Sequence, residues 1–142
     1  MRDADERVTR QLILLHLVRE LPGLSSDELQ DLAIRSMYMD YFSYSVTFDQ
    51  LISQHYLTES VRKNETSTDI YSQPLKRIDI TPEGSRILDT LMPTLPQPIR
   101  RHLNAVIDEV RGEQARRRES WATVDRDLTG RFYVHLYLNE RD

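Results

Sequence analysis

LSSDELQDLAIRSMYMDYFSYSVTFDQLISQHYLTESVRKNETSTDIYSQPLKRIDITPEG, residues 24–84, carries the signals that place the rest of the chain. Ser25 and Glu28 have the spacing of a capping box, and Leu24 and Leu29 sit at the staple positions around it. Leu29, Leu32 and Ala33 follow as a buried stripe, and this helix is expected to stop near Ser36. After an aromatic-rich connection over 37–42, Ser43 is the expected N-cap of a second helix over 43–54. Tyr44, Phe48, Leu51 and Ile52 recur at i, i+4, i+7 and i+8 and are expected to face a core. Ser45, Thr47, Asp49, Gln50 and Ser53 are then left outward, with Thr47 and Gln50 expected in solvent.

Two strands follow, over 57–63 and 75–80, where Leu57, Glu59 and Val61 alternate and Ile78 and Ile80 share a face. The loop 64–69 between them is polar throughout. Thr81 and Pro82 have the N-cap and first-turn chemistry of a further helix, with Ile87, Leu88 and Leu91 on its buried side. Helix, turn, helix, strand, polar loop, strand, helix is the order of a winged helix.

Outward from this block, residues 6–20 read as a helix that is apolar nearly all round. Val8, Leu12, Leu15 and Val18 make one face, while Ile13, Leu14 and Leu17 lie on others and need a second cover. That cover is expected from the C-terminal helix or from a second subunit. Pro93, Pro96 and Pro98 punctuate the chain before a helix over 98–120, whose stripe is Ile99, Leu103, Val106, Ile107 and Val110. Arg116, Arg117 and Arg118 read as its solvated end. Residues 121–128 and 131–138, joined by Thr129-Gly130, read as a terminal hairpin. The expected fold is therefore α+β: a winged helix-turn-helix over 1–95, then a long C-terminal helix and a β-hairpin over 96–142. The second part is expected to pack on the first or to form a dimer interface.

Composition narrows the chemistry. There is no cysteine, which removes disulfides, thiolate metal sites and cysteine nucleophiles. The 142 residues carry a net charge of −4. Residues 1–95 hold 10 Lys/Arg against 15 Asp/Glu, and residues 96–142 hold 9 against 8. An acidic balance argues against nonspecific coating of DNA. No signal peptide or membrane span is read from the sequence, and the expected location is the cytoplasm.

His16, His55, His102 and His135 are scattered without metal-ligand spacing, and there is no glycine-rich phosphate loop or nucleophile elbow. The expectation is a protein that is not an enzyme and takes no cofactor or metal.

Tyr41-Phe42-Ser43, followed by Leu51-Ile52 and Tyr56-Leu57, resembles the aromatic pair, hydroxyl cap and apolar helix of an uncharacterised bacterial family of winged-helix transcriptional regulators. Ile80-Thr81-Pro82-Glu83-Gly84 is similar to the strand-to-helix junction of PadR-like and MarR-like regulators, and Tyr133-Val134-His135 is similar to an aromatic-x-Val-His pattern of the uncharacterised family. His55 departs from the pattern, since such helices commonly end in glycine; a positive φ there is tolerable for histidine but less easy than for glycine.

The resemblance implies a regulator that binds double-stranded DNA, its effector unassigned, and the apolar stripes of the helices over 6–20 and 98–120 point to a homodimer built from the second of these, the first or both. Ser45, Thr47, Gln50 and Ser53 would read base edges, and Arg62, Lys63, Lys76 and Arg77 of the wing would contact phosphates. Asp49 would repel phosphate, and no arginine is available for guanine. The alternative is a winged helix that docks proteins, to which the aromatic cluster Tyr38, Tyr41, Phe42 and Tyr44 is suited. Core packing is the simpler expectation for that cluster.

Overall fold

The computed structural model of the protein describes the backbone of residues 2–127 and the side chains of 5–120. In chain order the elements are α1 (Arg2–Glu20), α2 (Ser26–Arg35), α3 (Tyr41–Ser53), β1 (Leu57–Val61), β2 (Lys76–Ile80), α4 (Pro82–Leu91), a 3-10 turn (Met92–Thr94) and α5 (Gln97–Asp127). The chain divides into two units, Met1–Ile107 and Asp108–Asp142. The first is a winged helix.

The local chemistry that starts each helix is visible atom by atom. Ser25 Oγ accepts from the Glu28 amide at 3.2 Å, and Glu28 Oε1 accepts from the Ser25 amide at 3.0 Å, completing the capping box. Leu24 and Leu29 are both buried beside it. Thr81 Oγ1 accepts from the Gly84 amide at 2.9 Å, with Pro82 in the first turn of α4. For α3 the cap differs from expectation. Asp40, and not Ser43, is the N-cap, and its Oδ1 accepts from the Ser43 amide at 2.8 Å. A carboxylate three residues upstream outcompetes the hydroxyl, because it is the stronger acceptor at a helix N-terminus. The helix therefore begins at Tyr41.

β1 and β2 pair antiparallel, with Leu57 opposite Ile80 and Glu59 opposite Ile78. Leu57 and Ile78 are the buried members. Leu24 and Ser25 extend this ribbon: the Ile78 amide donates to the Leu24 carbonyl at 2.8 Å, and Ser25 bridges Arg77.

All seven residues 12–18 of α1 are buried. Ile13, Leu14 and Leu17, expected to need a partner subunit or the C-terminal helix, are each 0% exposed within this one chain. α1 packs against α2, α3, α4 and β2. Residues 97–107 of α5 add to the cover: His16 Nε2 lies 3.0 Å from Asn104 Oδ1, and Leu103 and Ile107 are buried. The ground for a dimer offered by α1 is thus removed.

In the second unit α5 continues, and Arg116, Arg117 and Arg118 are exposed, as a solvated end requires. Residues 121–127, expected as the first strand of a hairpin, are helical instead. No proline or glycine lies between Glu113 and Asp127, so a helix already formed gains one hydrogen bond per added residue and runs on. The strand expected over 131–138 lies outside the described residues.

His55 has φ 62°, so the chain takes a positive φ just after α3 without glycine. Gly84 meets a different constraint. A Cβ there would press into the Tyr56 carbonyl oxygen, which already accepts from the Thr81 amide at 3.0 Å. The obstacle is the Tyr56 backbone, held by its own hydrogen bond, with the Ile80 side chain beside it. Gly84→Ala is expected to destabilise the protein by about 1–3 kcal/mol or more, read as a lower urea midpoint at an unchanged m-value.

Candidate nucleic-acid interface

α3 is positioned from both sides. Tyr44, Thr47 and Leu51 form its buried stripe. The Tyr44 hydroxyl donates to the Ser26 carbonyl at 3.1 Å, tying α3 to the start of α2, and the Tyr44 ring stacks on Phe48 at 5.7 Å. Burial pushes the Tyr44 phenol up to about 12, so it remains a donor at any working pH. The turn between the helices rests on α5. Tyr38 meets the His102 ring edge-on at 5.6 Å, and His102 Nε2 lies 3.0 Å from the Ser36 carbonyl.

With that stripe inward, the expected reading residues separate. Ser53 is exposed and Ser45 is half-buried. Gln50 is half-buried, and Gln11 Nε2 of α1 donates to its Oε1 at 3.2 Å, so its amide is not simply outward as expected. Thr47 is 1% exposed, which corrects its placement in solvent. Phe48 and Ile52, expected inside, are half-buried. The reason is rotational. The expected stripe ran through Phe48 and Ile52, whereas the core takes the positions through Thr47.

The outward face that results carries Tyr41, Phe42, Val46, Asp49 and Ser53. Tyr41 is 62% exposed and Phe42 73%, so core packing accounts for Tyr44 alone of the aromatic cluster's α3 members. Met37, in the turn, is 86% exposed and has φ 69°. Residues 26–55 carry Asp27, Glu28, Asp31, Asp40 and Asp49 against Arg35 as their one cation. Asp40, an N-cap residue type three positions before Ser43, was the available sequence signal that Tyr41 and Phe42 are helical.

The four wing cations also divide. Arg62 Nη2 donates to Asp79 Oδ1 at 2.9 Å. Arg77 is held more thoroughly: Nε donates to Glu65 Oε1 at 2.9 Å, Nη2 to Glu65 Oε2 at 3.1 Å, and Nη1 to Glu28 Oε1 and the Gly23 carbonyl at 3.3 Å each. Lys63 and Lys76 are exposed and, among the described residues, make no ion pair. Beneath the wing loop a cleft of about 310 Å³ opens against α2. Its lining includes Asp27, Glu59, Asp69, Tyr71 and Lys76, a balance that repels phosphate.

Residues 10–142 match the family described as a domain of unknown function, DUF4364. The chain belongs to that family. No curated protein matches it. Among solved structures this DUF4364 chain is similar to wild-type MarR from E. coli in its apo form, at 15% identity over 78% of this chain and 75% of that one, with a TM-score of 0.46. It is similar also to a MarR-family transcriptional regulator from Silicibacter pomeroyi, at 20% identity over 88% and 78%, with a TM-score of 0.46. The transcriptional regulator SlyA matches at 18% identity over 80% and 75%, with a TM-score of 0.41. The winged-helix architecture stands on the chain's own elements. Among the described residues of the DUF4364 chain, no helix is long and apolar enough to cross a membrane, and no group of acidic or histidine side chains has the arrangement of a metal site.

The Glu65 carboxyl is held below its ordinary value of 4.5, first by the Arg77 hydrogen bonds and then by the Ser67 amide, with Arg62 adding to the effect. A depressed carboxyl contributes stability that is complete above the unfolded value and disappears as pH falls through the folded one. Hydrogen exchange of the 62–75 segment, corrected for intrinsic rates, is therefore expected to be flat from pH 7 to 5. Protection should fall only below the ordinary glutamate range.

Proposed function

We propose that this chain is a winged-helix transcriptional regulator that binds double-stranded DNA. α3 enters the major groove with its outward face, and the wing touches the backbone. The observation that carries the reading is the pair of unengaged wing lysines, Lys63 and Lys76, beside an α2–α3 unit braced at Tyr44 and at the Ser36–Tyr38 turn. Ser45 and Ser53 offer hydroxyls to base edges, Val46 suits a thymine methyl, and Asp49 can accept from a cytosine amino group. Gln50 contributes after release from Gln11. Arg62 and Arg77 are secondary contacts, since each already has a carboxylate partner.

Two lysine contacts per protomer correspond to a log–log salt slope of about −1.8 per protomer. Lys63→Ala with Lys76→Ala is expected to weaken binding to every sequence alike and to flatten the slope by that amount, in gel shifts between 50 and 200 mM salt. An unchanged slope in the double variant counts against the wing contacts.

A second reading is supported by the exposed side chains Met37, Tyr41, Phe42 and Val46. An apolar surface with an acidic surround suits a cationic polypeptide with apolar anchors, so the face would dock a protein. Wild-type protein that binds no member of a random duplex pool at 50 mM salt favours this reading over DNA.

We also propose a homodimer assembled through the second unit. Residues 108–142 include Trp121, Phe132, Tyr133, Leu136 and Leu138, apolar side chains that a second copy of the chain would cover. Light scattering at micromolar concentration is expected to give twice the 16.8 kDa chain mass. A concentration-independent monomer mass overturns the assembly.

A further inference from the structure

Arg77 presents one edge of its guanidinium to fixed structure and the other to a loop. Nη1 is anchored by Glu28 Oε1 and the Gly23 carbonyl, both at the start of α2. The opposite edge, Nε and Nη2, meets the two oxygens of Glu65 at 2.9 and 3.1 Å. Two parallel N–H donors aimed at two oxygens of one anion is also the arrangement in which a guanidinium takes a phosphodiester. Glu65 arrives from a tight turn: Asn64 has φ 67°, and the Glu65 amide donates to the Arg62 carbonyl at 3.1 Å. Its side chain is 8% exposed and that of Arg77 20%, so an incoming anion has to displace the carboxylate to reach the fork. The Arg62–Asp79 pair, at 45% and 34%, has no such closure.

We propose that the Nε–Nη2 edge of Arg77 is a phosphate subsite of the wing, which Glu65 fills in the free protein and vacates for a DNA phosphodiester. This rests on the DNA-binding reading and adds to it an internal competitor for the same site. Glu28 and Gly23 keep the guanidinium aimed when Glu65 leaves, so the vacated edge is already oriented for its replacement. The carboxylate thereby raises the threshold for nonspecific backbone binding. A duplex is retained only where the contacts of α3 supplement the exchange of one anion for another.

The test compares wild type, Glu65→Gln, Glu65→Ala and Glu65→Gln with Arg77→Gln on a random 20-base-pair duplex pool, from 50 to 200 mM salt. Far-UV circular dichroism confirms folding of each variant. Both single variants are expected to bind roughly tenfold more tightly at 50 mM salt, with the slope steeper by about 0.9 per protomer. The double variant is expected to lose that gain. Two replacements are used so that the effect follows the loss of the carboxylate and not one substitute. If the single variants bind and the wild type does not, Glu65 is not vacated in the native chain and the subsite is overturned. If the wild type binds and the single variants match it or bind more weakly, the subsite is overturned while the DNA reading stands. If no protein binds any duplex at 50 mM salt, the DNA reading falls, and the subsite with it.

Discussion

A helix with no exposed residue between Leu12 and Val18 has to be wrapped, and this chain wraps α1 with α2, α3, α4, β2 and residues 97–107 of α5. Each of the six apolar side chains in that run is worth about 1.5–3 kcal/mol on burial, so no face can be left open cheaply. His16 sits inside the run at 7% exposure, and Asn104 supplies its Nε2 with a partner. One polar pair thus fixes which face of α1 meets α5, a choice that leucines alone would leave open. The short ribbon and the helix-turn-helix are held in one geometry because both are lids on the same helix.

Residues 24–26 are where the two lids meet. Leu24 and Ser25 take β2 through the Ile78 amide and the Arg77 bridge, while the Ser26 carbonyl accepts the Tyr44 hydroxyl from α3. Glu28 closes the same knot, since its Oε1 receives both the Ser25 amide and Arg77 Nη1. The capping box is therefore more than a helix start. Loosening it would free the orienting edge of Arg77 and the brace on α3 together, which is why wing and helix angle cannot vary independently here.

Local, strongly directional chemistry was legible in the sequence. The Ser25–Glu28 box and the Thr81–Pro82 start each depend on neighbours within a few residues, and the structure has them. The face of α3 was not legible in the same way. Tyr41, Phe42, Val46, Phe48, Leu51 and Ile52 outnumber the positions a single stripe can bury, so periodicity allowed more than one rotation. The core chose Thr47, and the hydrophobic surplus went outward. Residues 121–127 failed for a related reason. Strand signals there are weak, and the helix behind them has nothing to stop it. For the expected site, the sequence counted four wing cations without showing that two were paired.

That pairing changes what net charge means for recognition. A lysine free in solvent and an arginine clasped by glutamate add equally to a charge tally, yet only the first releases a net counterion when it meets a phosphate. For the second, one carboxylate enters water as one phosphate leaves it, and the exchange is close to neutral in charge. Under the proposed reading the wing then contributes less to nonspecific affinity than its four cations suggest. The outward face of α3, which has no cation, contributes none. Affinity for a correct site would have to come from shape and base-edge contacts at Ser45, Val46, Asp49 and Ser53. These are groups whose energy depends on sequence, so a weakly attractive, acidic domain gains in discrimination what it gives up in grip.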